Sequence, residues 1–193
     1  MNAFEQVQQI IRNRRSTKPA LFNGQSIPQE QVQQLLELAD WAPTHAHTEP
    51  WRFVVYAGKA AQQFCADHAD LYKSHTPADK FVTAAYEKQL HNGDKASHII
   101  AVLMKRGDNP RIPVIEEVSA VSAAVQNILL GAETLGISVL WSTGGLTHHP
   151  ALKEYFGLSE QDLVIGLLYM GYADNPVKEG KRIVPLQEKI TWK

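Results

Sequence analysis

The run from Val114 to Leu135 is the feature that most constrains the fold of this chain. It is long, largely apolar and rich in small residues: Ser119, Ala120, Ser122, Ala123, Ala124 and Gly131. At 1.5 Å per residue it predicts a helix about 33 Å long, with Gly136 as its C-terminal stop. Small side chains let a second helix approach closely, so a helix of this kind belongs at the centre of a core or at an interface between two copies. Glu116, Glu117, Gln126, Asn127 and Glu133 make it unsuitable for a bilayer, and no window of the chain reads as long and apolar enough to span one.

The remaining pattern alternates helices and strands without even spacing. Phe4, Val7, Ile10 and Ile11 share one face of a helix over residues 3–13. Val32, Leu35, Leu36 and Ala39 do the same for a helix from Pro28 to Trp41, with Pro28 in its first turn and Pro43 as its stop. Residues 60–74 and 77–91 read as helices with polar surfaces. Strands are expected at Arg52–Tyr56, His98–Met104, Ile137–Trp141 and Val164–Tyr172, and a short helix at Pro150–Phe156. These elements predict an α+β fold: a small mixed or antiparallel sheet flanked by helices on both faces, one of them central. The whole chain reads as one domain, with 173–193 as a polar tail that ends in the apolar Ile190-Thr191-Trp192 and suggests docking onto this subunit or its neighbour.

Composition limits the function classes. A chain of 193 residues with 44% hydrophobic and 20% charged residues supports one well-cored domain. A net charge of -1 argues against a general nucleic-acid binder. The single cysteine, Cys65, excludes an intrachain disulfide framework and any multi-cysteine metal site. With no apolar signal core near Met1, the expectation is a cytoplasmic protein that uses neither membrane nor nucleic acid as a partner.

The chemistry is concentrated in three places. Arg14-Arg15-Ser16-Thr17-Lys18 offers two guanidinium forks, hydroxyls, an ammonium and backbone amides within five residues, which suits a phosphate. The bland alternative is a helix C-terminus that favours cations without any ligand. Thr44-His45-Ala46-His47-Thr48-Glu49 is a polar loop running into Pro50 and Trp51. Metal ligation by His45 and His47 is disfavoured, because no cysteine or carboxylate cluster accompanies them apart from Glu49. Trp141-Ser142-Thr143-Gly144-Gly145 follows a strand, and its glycines allow a concave row of amides. No G-x-G-x-x-G follows a strand, so a nicotinamide coenzyme would visit rather than reside. No G-x-S-x-G elbow supports a hydrolase built on Ser142 and His148. Lys181 and Arg182 read as a solvated pair by default, with a return of Arg182 to the phosphate as the other reading.

These segments, in this order, resemble the nitroreductase family of FMN enzymes: the arginine–serine turn, the helix ending in Trp41-Ala42-Pro43, Glu49-Pro50-Trp51-Arg52-Phe53 entering a strand, the long helix, and the turn after Ile137–Trp141. The resemblance spans nearly the whole chain. Three positions depart from it: many relatives carry Asn and Gln where this chain has His47 and Glu49, and the position of Trp41 is often basic.

The resemblance implies an α+β homodimer with two FMN sites at the subunit interface. It implies that Arg14, Arg15 and Ser16 bind the phosphate and ribityl end, that His45 contacts FMN from the partner subunit, and that Trp141, Ser142 and Thr143 complete the site. The implied activity is transfer of hydride from NADH or NADPH to FMN, then to nitroaromatic, quinone or similar planar acceptors, in a ping-pong cycle that needs no catalytic side chain. Other FMN chemistry on the same scaffold, such as dehalogenation or flavin breakdown, and non-catalytic flavin binding are the alternatives.

Overall fold

The computed structural model describes residues 1–174 and 179–193. Six α-helices and four strands are defined among them: α1 (Ala3–Asn13), α2 (Gln29–Asp40), β1 (Trp51–Ala57), α3 (Lys59–His75), α4 (Thr83–His91), β2 (His98–Met104), α5 (Val114–Thr134), β3 (Ser138–Ser142), α6 (Pro150–Tyr155) and β4 (Leu163–Gly171). The strands form one sheet in the order β1-β2-β4-β3, with every neighbouring pair antiparallel. The Val177–Lys178 portion of the tail lies outside the described residues, as do Asn175 and Pro176.

The sheet divides two cores. All seven side chains of β2 are buried. Ile100, Val102 and Met104 project towards α2 and α5, while Ile99, Ala101 and Leu103 project towards the layer that contains Phe64 of α3 and Leu152 of α6. A strand covered on both faces has no polar side, which is why β2 reads as an unbroken apolar run. The pairing of β2 with β4 shifts between Val102 and Leu103, whose partners are Gly166 and Val164, so Ile165 is the additional residue of a bulge. The bulge turns Ile165 towards the α5 core and Val164 towards the opposite one.

α5 spans the middle of the larger core. Its inner face includes Ala120, Val121, Ala124, Val125, Ile128 and Ala132. The expected close approach occurs at Gly131, where a Cβ would lie 2.6 Å from Leu38 Cδ1 and 2.8 Å from Leu35 Cδ2 of α2. Asn127 Nδ2 donates to the Leu38 carbonyl at 3.0 Å and fixes the same contact. The membrane expectation needs one correction. By length and composition α5 does contain an 18-residue window apolar enough to cross a bilayer, with a mean hydropathy of 1.3. The apolar character is used instead in packing on α2 and the sheet, and it carries the buried Glu117 with it.

The start of α1 is set by a local signal. Asn2 accepts from Glu5 N and Glu5 Oε2 accepts from Asn2 N, both at 2.9 Å, a reciprocal capping box. None of its residues is buried, and Phe4, Val7 and Ile11 are exposed. α4 begins at Thr83 rather than at residue 77. Lys80 N turns back to the Pro77 carbonyl and Val82 N donates to Tyr72 Oη, so residues 77–82 are held as a connection to α3. After Gly171 the described tail contains only a 3₁₀ turn, Leu186–Lys189, and Trp192 is exposed without docking on this subunit.

Candidate active site

α1 ends at Asn13, and Arg14 caps it by donating its N–H to the Ile10 carbonyl at 3.0 Å. The chain then extends along the free edge of β3. Ser16 bridges Val139 in parallel, and Thr17 N donates to the Val139 carbonyl at 3.1 Å. An extended segment alternates its side chains. Arg15 and Thr17 therefore face one crevice of about 400 Å³, joined by Arg14, while Ser16 is exposed and does not line it. The crevice is closed by Leu129, Glu133, Gly136, Ile137, Val139 and Asp174.

Two polar atoms of these lining residues are buried without a partner among the described residues: Arg15 Nε and Thr17 Oγ1. Arg15 spends only Nη1 internally, on the Arg14 carbonyl at 2.7 Å. A buried donor left unmade costs about 1–3 kcal/mol, so two in one crevice mark a place where an acceptor-rich group fits. Glu133 and Asp174 oppose an anion there, and Asp174 is partly occupied by Asn23 Nδ2 at 2.7 Å. The tail approaches the same point. Gly180 packs so tightly on the Arg15 guanidinium that a Cβ would come within 2.0 Å of Nη2. Arg182 itself is exposed and donates to the Lys181 carbonyl at 3.2 Å.

Trp141 packs its indole edge on β4 at Ile165 and Gly166. Its Nε1 donates to the Ile165 carbonyl at 3.4 Å, and a Cβ on Gly166 would sit 2.1 Å from that nitrogen, so the bulge and the glycine together make room for the indole. Ser142 is half-buried and Thr143 exposed at the end of β3. The turn beyond is anchored by Thr147, fully buried, whose Oγ1 donates to the Gly144 carbonyl at 2.6 Å. Gly145 adopts φ +65° with Gln89 of α4 against it. No hydrogen bond uses the N–H of Thr143, Gly144 or Gly145 among the described residues.

His45 stands apart from this crevice. It occupies a short 3₁₀ turn, His45–His47, and its Nδ1 is 2.5 Å from Glu116 Oε2 in the first turn of α5. Glu133, in the crevice, is seventeen residues further along α5, about 25 Å of helix. One subunit therefore brings Arg14, Arg15 and Thr17 together, carries Trp141–Thr143 further along the same strand, and holds His45 at the opposite end of α5. The His45 loop is unusual in its backbone: Ala46, His47 and Glu49 have φ of 50°, 54° and 41°. Non-glycine residues in that region cost on the order of 1–3 kcal/mol each. The loop is over-determined by Thr44 Oγ1, which contacts Thr48 Oγ1 at 2.9 Å and accepts from Glu49 N at 3.2 Å, and by Arg52 Nη1 on the Glu49 carbonyl at 2.8 Å. His47 and Glu49 are exposed and touch nothing in the crevice.

Beneath this loop is a buried ion pair. Glu117 is 1% exposed and receives Arg106 Nη1 and the Gly107 N–H at 3.0 Å, while Arg106 Nη2 donates to the Ile112 carbonyl. Gly107 packs on Thr48, where a Cβ would meet Thr48 Cγ2 at 3.2 Å. Away from the site, Cys65 is 1% exposed and burial, reinforced by Asp94, pushes its thiol up to about 12, which leaves it unreactive.

The chain belongs to the nitroreductase family, whose family model matches residues 11–172. It is 32% identical over 142 residues to the Escherichia coli K12 protein named "Putative NAD(P)H nitroreductase YdjA", covering 74% of this chain and 75% of that protein. The solved nitroreductase-like family protein from Bacillus cereus superposes with a TM-score of 0.80 at 28% identity, over 100% of this chain and 98% of that one. A "putative nitroreductase in complex with FMN" from Desulfovibrio desulfuricans gives 0.71 at 25% identity, over 100% and 98% of the two chains.

Thr17 belongs to the segment that the sequence marks as suited to a phosphate, but that it faces the crevice and Ser16 does not is set by pairing with β3, a tertiary fact. Glu116 was not legible as a partner of His45: it is 71 positions away and has no local signal at all.

Proposed function

We propose that this chain is an FMN-dependent oxidoreductase that takes hydride from NADH or NADPH and reduces nitroaromatic, quinone or similar planar acceptors. The observation that carries this reading is that Arg15 Nε and Thr17 Oγ1, buried and without a partner among the described residues, belong to side chains that line one crevice with Arg14. The relatives named for NAD(P)H and the FMN-bound relative support it.

Arg14, Arg15 and Thr17 would hold the phosphate and ribityl end, with the exposed Ser16 hydroxyl at the margin. Guanidinium forks match phosphate oxygens bidentately. Trp141, Ser142 and Thr143 would flank the ring, and the free N–H groups of Thr143, Gly144 and Gly145 would meet its heteroatoms as developing negative charge is stabilised. When bound, FMN supplies the hydride and electron chemistry between nicotinamide donor and acceptor. The chain's own residues bind, orient and neutralise, and none is required as an acid or base. A second copy would supply His45, because 25 Å or so of helix keeps it from its own crevice. The exposed Val7, Ile11, Leu38 and Trp41, which line one apolar groove, support a homodimer, and a single buried thiol suits a cytoplasmic setting.

The test is direct. Purified protein, reconstituted with FMN and desalted, should retain a visible flavin spectrum and oxidise NADH or NADPH when a quinone is added. Protein that takes up no flavin refutes the reading. Flavin uptake without turnover by either nucleotide would favour non-catalytic binding.

A further inference from the structure

Glu116 lies in the first turn of α5, and its contact with His45, at 2.5 Å, is the shortest imidazole–carboxylate approach among the described residues. Both side chains are largely open to solvent, so burial does not force them together. The contact is made by a loop held in a costly backbone shape and clamped by Thr44, Arg52 and the Gly107–Thr48 packing. The other charged groups nearby are committed elsewhere: Glu117 turns inward to Arg106, and the Glu49 backbone is bound by Thr44 and Arg52 while its side chain is exposed.

We propose that Glu116 is the positioning residue of His45: its carboxylate accepts the Nδ1 proton, fixes the imidazole as the Nδ1–H tautomer, and leaves Nε2 as the ring atom offered to the cofactor of a second copy. The inference rests on the FMN reading above. An ionised carboxylate has no proton to give, so the ring nitrogen facing it must carry one. In the neutral ring the other nitrogen is then an acceptor. In the imidazolium form Nε2 carries a proton as well, so the contact fixes which nitrogen is turned to the cofactor and not whether that nitrogen donates or accepts. The sequence departure at Glu49 is immaterial to this arrangement, because the carboxylate that matters comes from α5.

Nitrogen NMR of ¹⁵N-histidine-labelled protein, with His45 assigned by its loss in His45→Ala, reads the tautomer directly with or without flavin. The expected result is the Nδ1–H form in the wild type and in Glu116→Gln, whose amide oxygen still accepts, and loss of that form in Glu116→Ala. Flavin titration of apoprotein should show His45→Ala and Glu116→Ala each weakening FMN by about tenfold, Glu116→Gln by less than about twofold, and the double alanine variant no further than either single. An Nε2–H tautomer in the wild type overturns the proposal. So does FMN affinity unchanged in both alanine variants, or a Glu116→Ala effect that persists in the His45→Ala background; in each case the FMN reading stands. If the wild type takes up no FMN, that reading fails, and the tautomer measurement still decides whether Glu116 fixes His45.

Discussion

Glu117→Ala is expected to be among the most destabilising substitutions in the chain, and its cost can be built from its contacts. Glu117 is 1% exposed, and the side chain of Arg106 is 11% exposed. Removing the carboxylate leaves the guanidinium buried with the Ile112 carbonyl as its one acceptor among the described residues and leaves the Gly107 N–H without one. Breaking a buried pair by deleting one partner costs about 3–5 kcal/mol, and the orphaned amide falls within that figure rather than adding to it. For a domain of this size each kcal/mol lowers Tm by roughly 2–4 °C, so a fall of about 6–20 °C is expected. Urea unfolding of Glu117→Ala, Glu117→Gln and the pair Arg106→Met with Glu117→Met would check it. Gln keeps an acceptor for Gly107 and should lose less than Ala. The double variant should recover most of the loss, because an apolar pair carries no stranded charge. A loss below about 1 kcal/mol for Glu117→Ala, or a double variant as unstable as the single, would refute the reasoning. Since Gly107 packs on Thr48, the same variant should loosen the His45 loop.

Two further outcomes follow from buried groups. Thr17→Val removes a hydroxyl that has no partner among the described residues, so it should leave stability unchanged or raised while weakening FMN by about tenfold; isothermal titration beside thermal unfolding would show whether the two effects have opposite sign. His68 is 2% exposed with neither ring nitrogen bonded, and burial lowers its pKa to about 4. Below its unfolded value of about 6.5 the unfolded chain binds a proton that the folded chain refuses, so stability should fall as pH drops towards 4, by up to about 1.4 kcal/mol per pH unit. His68→Leu should flatten that slope in urea unfolding measured from pH 7 to pH 4, and an unchanged slope would show that other groups set it.

The sequence was most legible where one element meets its surroundings uniformly. β2 is covered on both faces, so its apolar run marks it from His98 to Met104, and the small residues of α5 foretell the close approach of α2 at Gly131. It was least legible where distant segments decide. The start of α4 depends on Tyr72 capturing Val82 N, and the side chains that face the crevice depend on Ser16 pairing with Val139. The arginines of the site declared themselves because charge density is a local property. The partner of His45, the acidic lining from Glu133 and the packing of Gly180 on Arg15 are products of the fold.

The two-faced strand β2 also sets where this chain can change length over evolutionary time. Inserting or deleting one residue within it would exchange the occupants of the two cores, sending Ile100, Val102 and Met104 into the space shaped for Ile99, Ala101 and Leu103. The seven positions between Ser97 and Lys105 are therefore closed to insertion. The lone extra residue that the sheet tolerates, Ile165, sits in the neighbouring strand, where it gives the Trp141 indole a carbonyl to hold.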